Sequence, residues 1–234
     1  MFTRSERFYD AVYAWKDYEG ESARLHELIQ ERLPGASTLL DVACGTGSHL
    51  VHLAHWYDVE GVDLDPEMLA LARDKLPDVA LHAGDMTRFD LGRRFDAVTC
   101  LFSSIGYAGT LEAVHATVAA MAAHVNPGGV VIVEPWFSPD AWHADRPHLL
   151  TVDEPDLKIA RMSVARTRDR TSVLDFTYLV ATAEGVEVFT EHHEALLLTD
   201  DEYRGAFSTA GLAVERDEQG LMGRGLYIGR APRA

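Results

Sequence analysis

Cysteine is scarce in this sequence: Cys44 and Cys100 are its only two. That excludes a disulfide framework and suits a reducing, cytoplasmic setting, with both thiols read as small residues near strand ends. No apolar run approaches membrane-spanning length, so a spanning helix is excluded as an expectation. The opening residues, MFTRSER, have no apolar core behind their charges, and no signal peptide is expected. Basic residues are also short, 21 Lys and Arg against 37 Asp and Glu, for a formal net charge of −16. That balance argues against nucleic-acid backbones and anionic membranes as partners, while a small anionic ligand stays open where arginines gather. What is present is an ordinary globular composition, 47% hydrophobic over 234 residues. It is enough for a full core, as one large domain or one domain with an inserted lobe.

The chain is organised around residues 38–52, TLLDVACGTGSHLVH. Thr38–Val42 is a short, β-prone apolar run of the kind buried on both faces of a sheet. It ends in Ala43-Cys44-Gly45-Thr46-Gly47, after which a helical pattern opens at Ser48. Strand, glycine turn and helix together predict the start of a doubly wound α/β sheet, with its ligand beyond the carboxyl end of the strand. Glycines at 45 and 47 allow positive φ and let a ligand touch the main chain. The dinucleotide fingerprint is incomplete, because Leu50 stands where its third glycine belongs.

Ahead of this strand, residues 8–18 are dense in aromatics, predicting either a helix packed on the sheet edge or a lid; Tyr9 and Tyr13, four apart, share one helical face. Residues 21–32 predict an amphipathic helix stopped by Pro34-Gly35. Residues 59–63 read as the second strand, placing Asp63 at its end, where a carboxylate can accept from ribose hydroxyls. Asp65 is the rival ligand, but it also fits an N-cap with Pro66 at the first helical position, and Asp63 is preferred. The third strand is 79–83, followed by Gly84-Asp85-Met86, and the fourth is 95–101, leading into FSSIGY. A helix over 111–125 carries His124 near its end, read either as a C-terminal histidine favoured by the helix dipole or as a polar group near the reacting centre. Asn126-Pro127-Gly128-Gly129 then precedes a fifth strand at 130–133.

Regular alternation stops at Glu134-Pro135-Trp136. Strand-like runs at 149–152, 158–167, 171–182 and 186–198 predict hairpins, and hence an antiparallel lobe inserted at 135–187 between core segments 1–134 and 188–234. Lys158, Arg161, Arg166, Arg168 and Arg170 face one acid, Asp169, within residues 157–172, a local excess suited to phosphate oxygens, although some of the five are expected on solvated strand faces. Thr199 and Glu202 have capping-box spacing. Arg224, between two glycines near the strand ends, is a further candidate anion ligand. A metal site is not expected. Of eleven histidines, His49, His52 and His55 drift around a helix, and His192 and His193 point to opposite sides of a strand. Ser103 and Ser104 lack a nucleophile elbow.

DVACGTG resembles the first motif of class I S-adenosylmethionine (SAM) dependent methyltransferases. Beyond it, LLDVACGTGSHL, LHAGDM, LGRRFDAVTCLFSSIGY, HVNPGGVVIVEPW and GRGLYIG resemble the N,N-dimethyltransferases of dTDP-linked amino sugars, such as those forming desosamine and mycaminose, nearly end to end. The match is poorer at 137–150, where Phe137 replaces the family's second tryptophan. The resemblance implies a class I, Rossmann-like seven-stranded sheet with an inserted β lobe and an aromatic N-terminal lid. It implies SAM held by Tyr18, Ala43, Gly45, Gly47, Asp63, Asp85, Met86 and Leu101, with Asp85 meeting the adenine amino group and Met86 packing on the ring. A dTDP-amino sugar would meet Tyr9, Tyr13, Ser104, Trp136, Arg161, Ser163 and Arg224, with Tyr13 and His124 as the catalytic candidates. The implied reaction is N-methylation, taken to N,N-dimethylation in natural-product biosynthesis. An O-methyltransferase and an NAD-dependent oxidoreductase are the alternatives, and a homodimer is an open alternative to a monomer.

Overall fold

The computed structural model describes residues 4–233. Two sheets account for all its strands. The larger is built from β1 (Thr38–Val42), β2 (Asp58–Asp63), β3 (Ala80–Ala83), β4 (Phe95–Cys100), β5 (Val125–Val133), β10 (Ala213–Asp217) and β11 (Leu226–Arg230). Their order is β10-β11-β5-β4-β1-β2-β3, with β11 antiparallel to both its neighbours, β10 and β5, and the other pairs parallel. Chain order reverses about β1, so the crevice at the carboxyl ends of β1 and β4 is where such a sheet takes its ligand. The smaller sheet is β6 (Pro147–Glu154), β7 (Leu157–Arg168), β8 (Thr171–Thr182) and β9 (Gly185–Leu196), an antiparallel meander. Its last strand runs nine residues past 187.

Central strands read as continuous apolar runs because helices cover both faces. Val130, Val131, Ile132 and Val133 are fully buried, each contributing about 1.5–3 kcal/mol by removal from water. The covering helices are α2 (Tyr18–Arg32), α3 (Ser48–Leu53), α4 (Pro66–Lys75), α5 (Leu111–Ala123) and α6 (Asp200–Thr209); α1 (Tyr9–Val12) is a single turn beside the cleft. Their starts follow the expected chemistry. Asp65 caps α4 by accepting from the N–H groups of Glu67 and Met68, and Thr199 and Glu202 form the capping box of α6.

Two local expectations change. β5 begins at Val125 and takes in Asn126-Pro127-Gly128-Gly129, because Gly128 at φ +79° and a register shift between Phe95 and Ala97 accommodate the irregularity without ending the pairing. The aromatic segment before α2 is not one helix. It is a 3-10 turn at Glu6–Phe8, the short α1, and a turn that brings the Tyr9 and Tyr13 rings within 4.7 Å.

Candidate active site

The glycine turn after β1 is held open by backbone geometry. Ala43, Gly45 and Gly47 all have positive φ, at 60°, 56° and 72°. The N–H of Gly45 donates to Asp63 Oδ2 at 2.7 Å, tying the ends of β1 and β2 together. Asp63 Oδ1 accepts from the N–H of Asp65 at 2.9 Å, and burial raises the Asp63 pKa. Nothing lies within 4 Å of where a Cβ on Gly45 would stand, so its surface is left for a ligand. At Gly47 a Cβ would stand 3.0 Å from the Leu76 side chain, so this glycine serves the turn and the packing of α3 on α4.

Beyond the turn lies a cavity of about 330 Å³ lined by Tyr9, Ala43, Gly45, Asp63, Asp85, Met86, Ser104 and Tyr107, among others. Asp85 is fixed by its own turn, with Oδ1 accepting from the N–H and hydroxyl of Thr87 at 2.9 and 2.8 Å; the Thr87 N–H is the main cause of its lowered pKa. A small side cavity, bounded by Tyr18, Asp41, Ala43, Gly45, Leu101 and Ser104, reaches under the turn. Asp10 of α1 anchors this edge. Its carboxylate accepts from Thr46 Oγ1 at 2.6 Å, Ser48 Oγ at 3.2 Å and Lys75 Nζ at 2.8 Å.

A second cleft of about 260 Å³ shares Tyr9, Ser104 and Tyr107 with the first. Tyr13, Trp136, Arg161 and Arg224 also line it, together with Trp15, Phe102, Phe176, His193 and Met222, which sequence reasoning missed. Arg161 Nη1 donates to Tyr13 Oη at 3.2 Å, and its guanidinium sits 4.5 Å from the Phe176 ring. The Tyr107 hydroxyl is 2.9 Å from His193 Nδ1. Burial lowers the His193 pKa, which keeps the ring neutral. Of the missed residues, Trp15 and Phe102 belonged to stretches already singled out, at 8–18 and in FSSIGY. Phe176, His193 and Met222 come from three distant segments with no motif between them. A third, outer cavity of about 440 Å³ adjoins the cleft through Trp136, Arg161, Leu174 and Phe176, and adds Phe137, Trp142, His143, Arg146, His148 and Ser163.

One expectation fails on geometry and another is narrowed. His124, a catalytic candidate, lies at the opposite end of the sheet, where its carbonyl accepts from the N–H that starts β4 at Phe95. Nδ1 faces the Ala120 carbonyl at 2.7 Å and Nε2 faces the Leu91 N–H at 2.9 Å. A carbonyl only accepts and an N–H only donates, so the ring is the neutral Nδ1–H tautomer with both nitrogens committed. The basic cluster of 157–172 divides as the solvated-face alternative expects, with Arg161 in the cleft and the others on solvated faces. Side chains alternate along β7, so Arg161 and Ser163 turn to the cavities while Lys158, Arg166 and Arg168 turn outward. Lys158 pairs with Asp153, Arg168 with Glu194 and Arg170 with Glu202.

A doubly wound sheet with a glycine turn, a carboxylate at the end of β2 and an acid with an apolar neighbour after β3 defines a class I, SAM-dependent methyltransferase. The glycine surface and the first cavity fit that cofactor. A family model described as "Methyltransferase domain" matches residues 39–129. The chain is 42% identical to the dTDP-3-amino-3,4,6-trideoxy-alpha-D-glucopyranose N,N-dimethyltransferase of Streptomyces venezuelae, covering 94% of this chain and 95% of that one. It is 44% identical to the dTDP-3-amino-3,6-dideoxy-alpha-D-glucopyranose N,N-dimethyltransferase of Streptomyces fradiae, over 94% and 88%. Among solved structures, DesVI of Streptomyces venezuelae superposes with a TM-score of 0.93 at 40% identity, over 99% of this chain and 100% of that one. A SAM-bound amino pentose methyltransferase of Micromonospora echinaspora, involved in calicheamicin biosynthesis, gives 0.87 at 40%, over 98% and 97%. The chain belongs to the family of dTDP-amino-sugar N,N-dimethyltransferases.

Proposed function

We propose that this enzyme transfers methyl groups from SAM to the amino group of a dTDP-linked amino sugar, twice in succession, in antibiotic or related natural-product biosynthesis. The observation that carries the reading is the shared wall of Tyr9, Ser104 and Tyr107 between the cofactor cavity and the aromatic cleft. When bound, SAM supplies a methyl group on a reactive sulfonium, so the protein's task is alignment and exclusion of water.

In this reading Ala43, Gly45 and the turn made possible by Gly47 receive the methionine end, with Tyr18 and Leu101 beside it. Asp63 accepts from the ribose hydroxyls, Asp85 from the adenine amino group, and Met86 packs on the ring. Tyr13, held by Arg161, orients the sugar; because Arg161 donates to its oxygen, the Tyr13 hydroxyl proton is left to meet a sugar oxygen. The nucleotide extends into the outer cavity, where Trp136 and Trp142 offer stacking surfaces and Arg146, with Ser163 and Arg161, meets the diphosphate. That cavity takes the place of the outward-turned Lys158, Arg166 and Arg168. Arg224 completes the cleft on the side of Trp136, 5.5 Å from its ring. With SAM bound, the amine lone pair would attack the methyl carbon as the carbon–sulfur bond breaks and its electron pair returns to sulfur, and the methylated amine would then shed a proton to solvent before the next round. His124 is too far from this site to accept it.

The outer face of the small sheet supports a homodimer. Leu149, Met162, Val186 and Val188 are 65%, 51%, 69% and 62% exposed there, in neighbouring strands. Cys44 and Cys100, both buried and free, support a cytoplasmic setting.

The test is incubation with SAM and a panel of dTDP-amino sugars, followed by mass spectrometry. Two successive methyl additions to one sugar nucleotide are expected. Absence of any methyl addition across the panel, with SAM binding intact, would remove the reading.

A further inference from the structure

Directly beyond β5, Glu134 is fully enclosed, yet it is only half engaged. Oε2 accepts from the N–H of Phe102 at 2.7 Å. Oε1 has no hydrogen-bond partner among the described residues and lies 3.6 Å from Nη2 of Arg224. Arg224 is itself largely buried, with its Nε also without a hydrogen-bond partner among the described residues and Nη2 reaching Met222 Sδ at 3.2 Å. Its guanidinium stands 5.5 Å from the rings of Trp136 and Phe137 and 6.0 Å from that of Phe102. Phe102 and Arg224 line the acceptor cleft, whereas Glu134 stands behind them.

The corner that Glu134 holds is strained. Phe102 and Ser103 have φ of +50° and +62°, a left-handed conformation that side-chain-bearing residues adopt only when their surroundings impose it. The bond from Phe102 N–H to Glu134 is one such restraint, and the donation from Ser103 Oγ to the Pro135 carbonyl at 2.6 Å is another. Ser104, the residue at the boundary between the cofactor cavity and the cleft, follows at once. A buried carboxylate is tolerated when it is paired, and its nearest cation is Arg224.

We infer that Glu134 is a positioning residue for methyl transfer. One buried carboxylate fixes the Phe102–Ser103 corner and the Arg224 guanidinium relative to each other, and so sets the wall against which the sugar nucleotide binds. The inference rests on the functional reading above. It differs in sign from simple charge neutralisation. If Glu134 only offset the Arg224 charge, removing its own charge would strengthen binding of an anionic substrate; if it positions Arg224, the same change weakens binding.

Glu134→Gln keeps an acceptor for Phe102 N–H and removes the charge that faces Arg224. The expected result is a KM for the sugar nucleotide raised at least about tenfold, with kcat within about threefold, the pattern of a lost ground-state contact. KM for SAM should stay within about twofold, since that cavity is not rebuilt. Combined with Arg224→Gln, the double variant should fall short of the product of the two single effects by about tenfold or more, because both remove one interaction. Should E134Q melt below the assay temperature, Glu134→Asp serves in its place, keeping the charge but too short to span both partners. An unchanged or lowered KM, or single effects that simply multiply, would overturn the positioning role while leaving wild-type turnover intact. A wild type that methylates no dTDP-amino sugar would instead sink the functional reading, and this inference with it.

Discussion

Replacing His124 by alanine separates folding from catalysis in this enzyme. The ring is enclosed at the end of α5, bridges the Ala120 carbonyl and the Leu91 N–H, and lies with its centroid 4.4 Å from that of Phe89. The substitution strands a partly buried N–H, which costs about 1–3 kcal/mol. It also leaves the space of an aromatic-sized ring, and large-to-small core changes of this kind reach about 3–5 kcal/mol in tightly packed sites. The Leu91 end is only partly enclosed, so water can reach it and the total is set at about 3 kcal/mol. At about 2–4 °C per kcal/mol for a chain of this size, the melting temperature falls by about 6–12 °C. The methyl-transfer rate of the folded variant, measured in a single turnover with saturating SAM at a temperature well below its melt, should stay within about threefold of wild type, since no reacting atom is touched. The reasoning is refuted if the melt is unmoved while the rate falls by more than about 10²-fold, the lower end of general-base effects.

Three other substitutions probe other parts of the molecule. Asp41, fully enclosed beneath the glycine turn, has its pKa pushed by burial from 3.8 up to about 6. Between those two values the folded chain holds a proton that the unfolded chain has released, so stability falls as pH rises through this window. Asn at 41 keeps an acceptor for Thr99 Oγ1 and should stabilise the protein by up to about 3 kcal/mol at pH 8 and by nothing at pH 3.5, read by urea midpoints; equal effects at both would count against it. Asp63→Ala removes the acceptor for the N–H groups of Gly45 and Asp65 and should weaken SAM binding by about 10–100-fold in calorimetry, whereas an unchanged affinity would move the ribose contact elsewhere. Val188→Glu on the outer face of the small sheet should convert a dimer to monomer in sedimentation with the melt held within about 1 kcal/mol; an unaltered mass would place any interface elsewhere.

The fold around the first cavity was legible because each of its parts has a local signature. A β-branched run, a glycine pair and an acid at a strand end are written in consecutive residues, and the cap at Asp65 leaves its own mark in Pro66. The second cleft was legible only in part, for two physical reasons. Tyr13, Arg161 and Arg224 were named from the sequence, whereas Tyr107 and His193 reach the same cleft only through the fold. A charge count along 157–172 also ignores that neighbours in a strand face opposite ways, so a dense run of basic residues divides into one cleft arginine and several solvated, paired ones. His124 misled for a related reason. A histidine closing a helix reads the same at either end of a parallel sheet, and here it closes the helix that leads into the foot of β5.

The small sheet has one face against the cleft and the other bare, with Arg161 and Ser163 on the first and Met162 and Val164 on the second. A single inserted or deleted residue within β7 would exchange these two sets at a stroke, emptying the cleft of its arginine and burying charge where apolar side chains now stand. The four strands can therefore drift in composition far more freely than in length. Changes of length are confined to the turns at 155–156, 169–170 and 183–184. A lineage exploring new sugars on this scaffold would rewrite individual letters of the meander while its spacing stayed frozen.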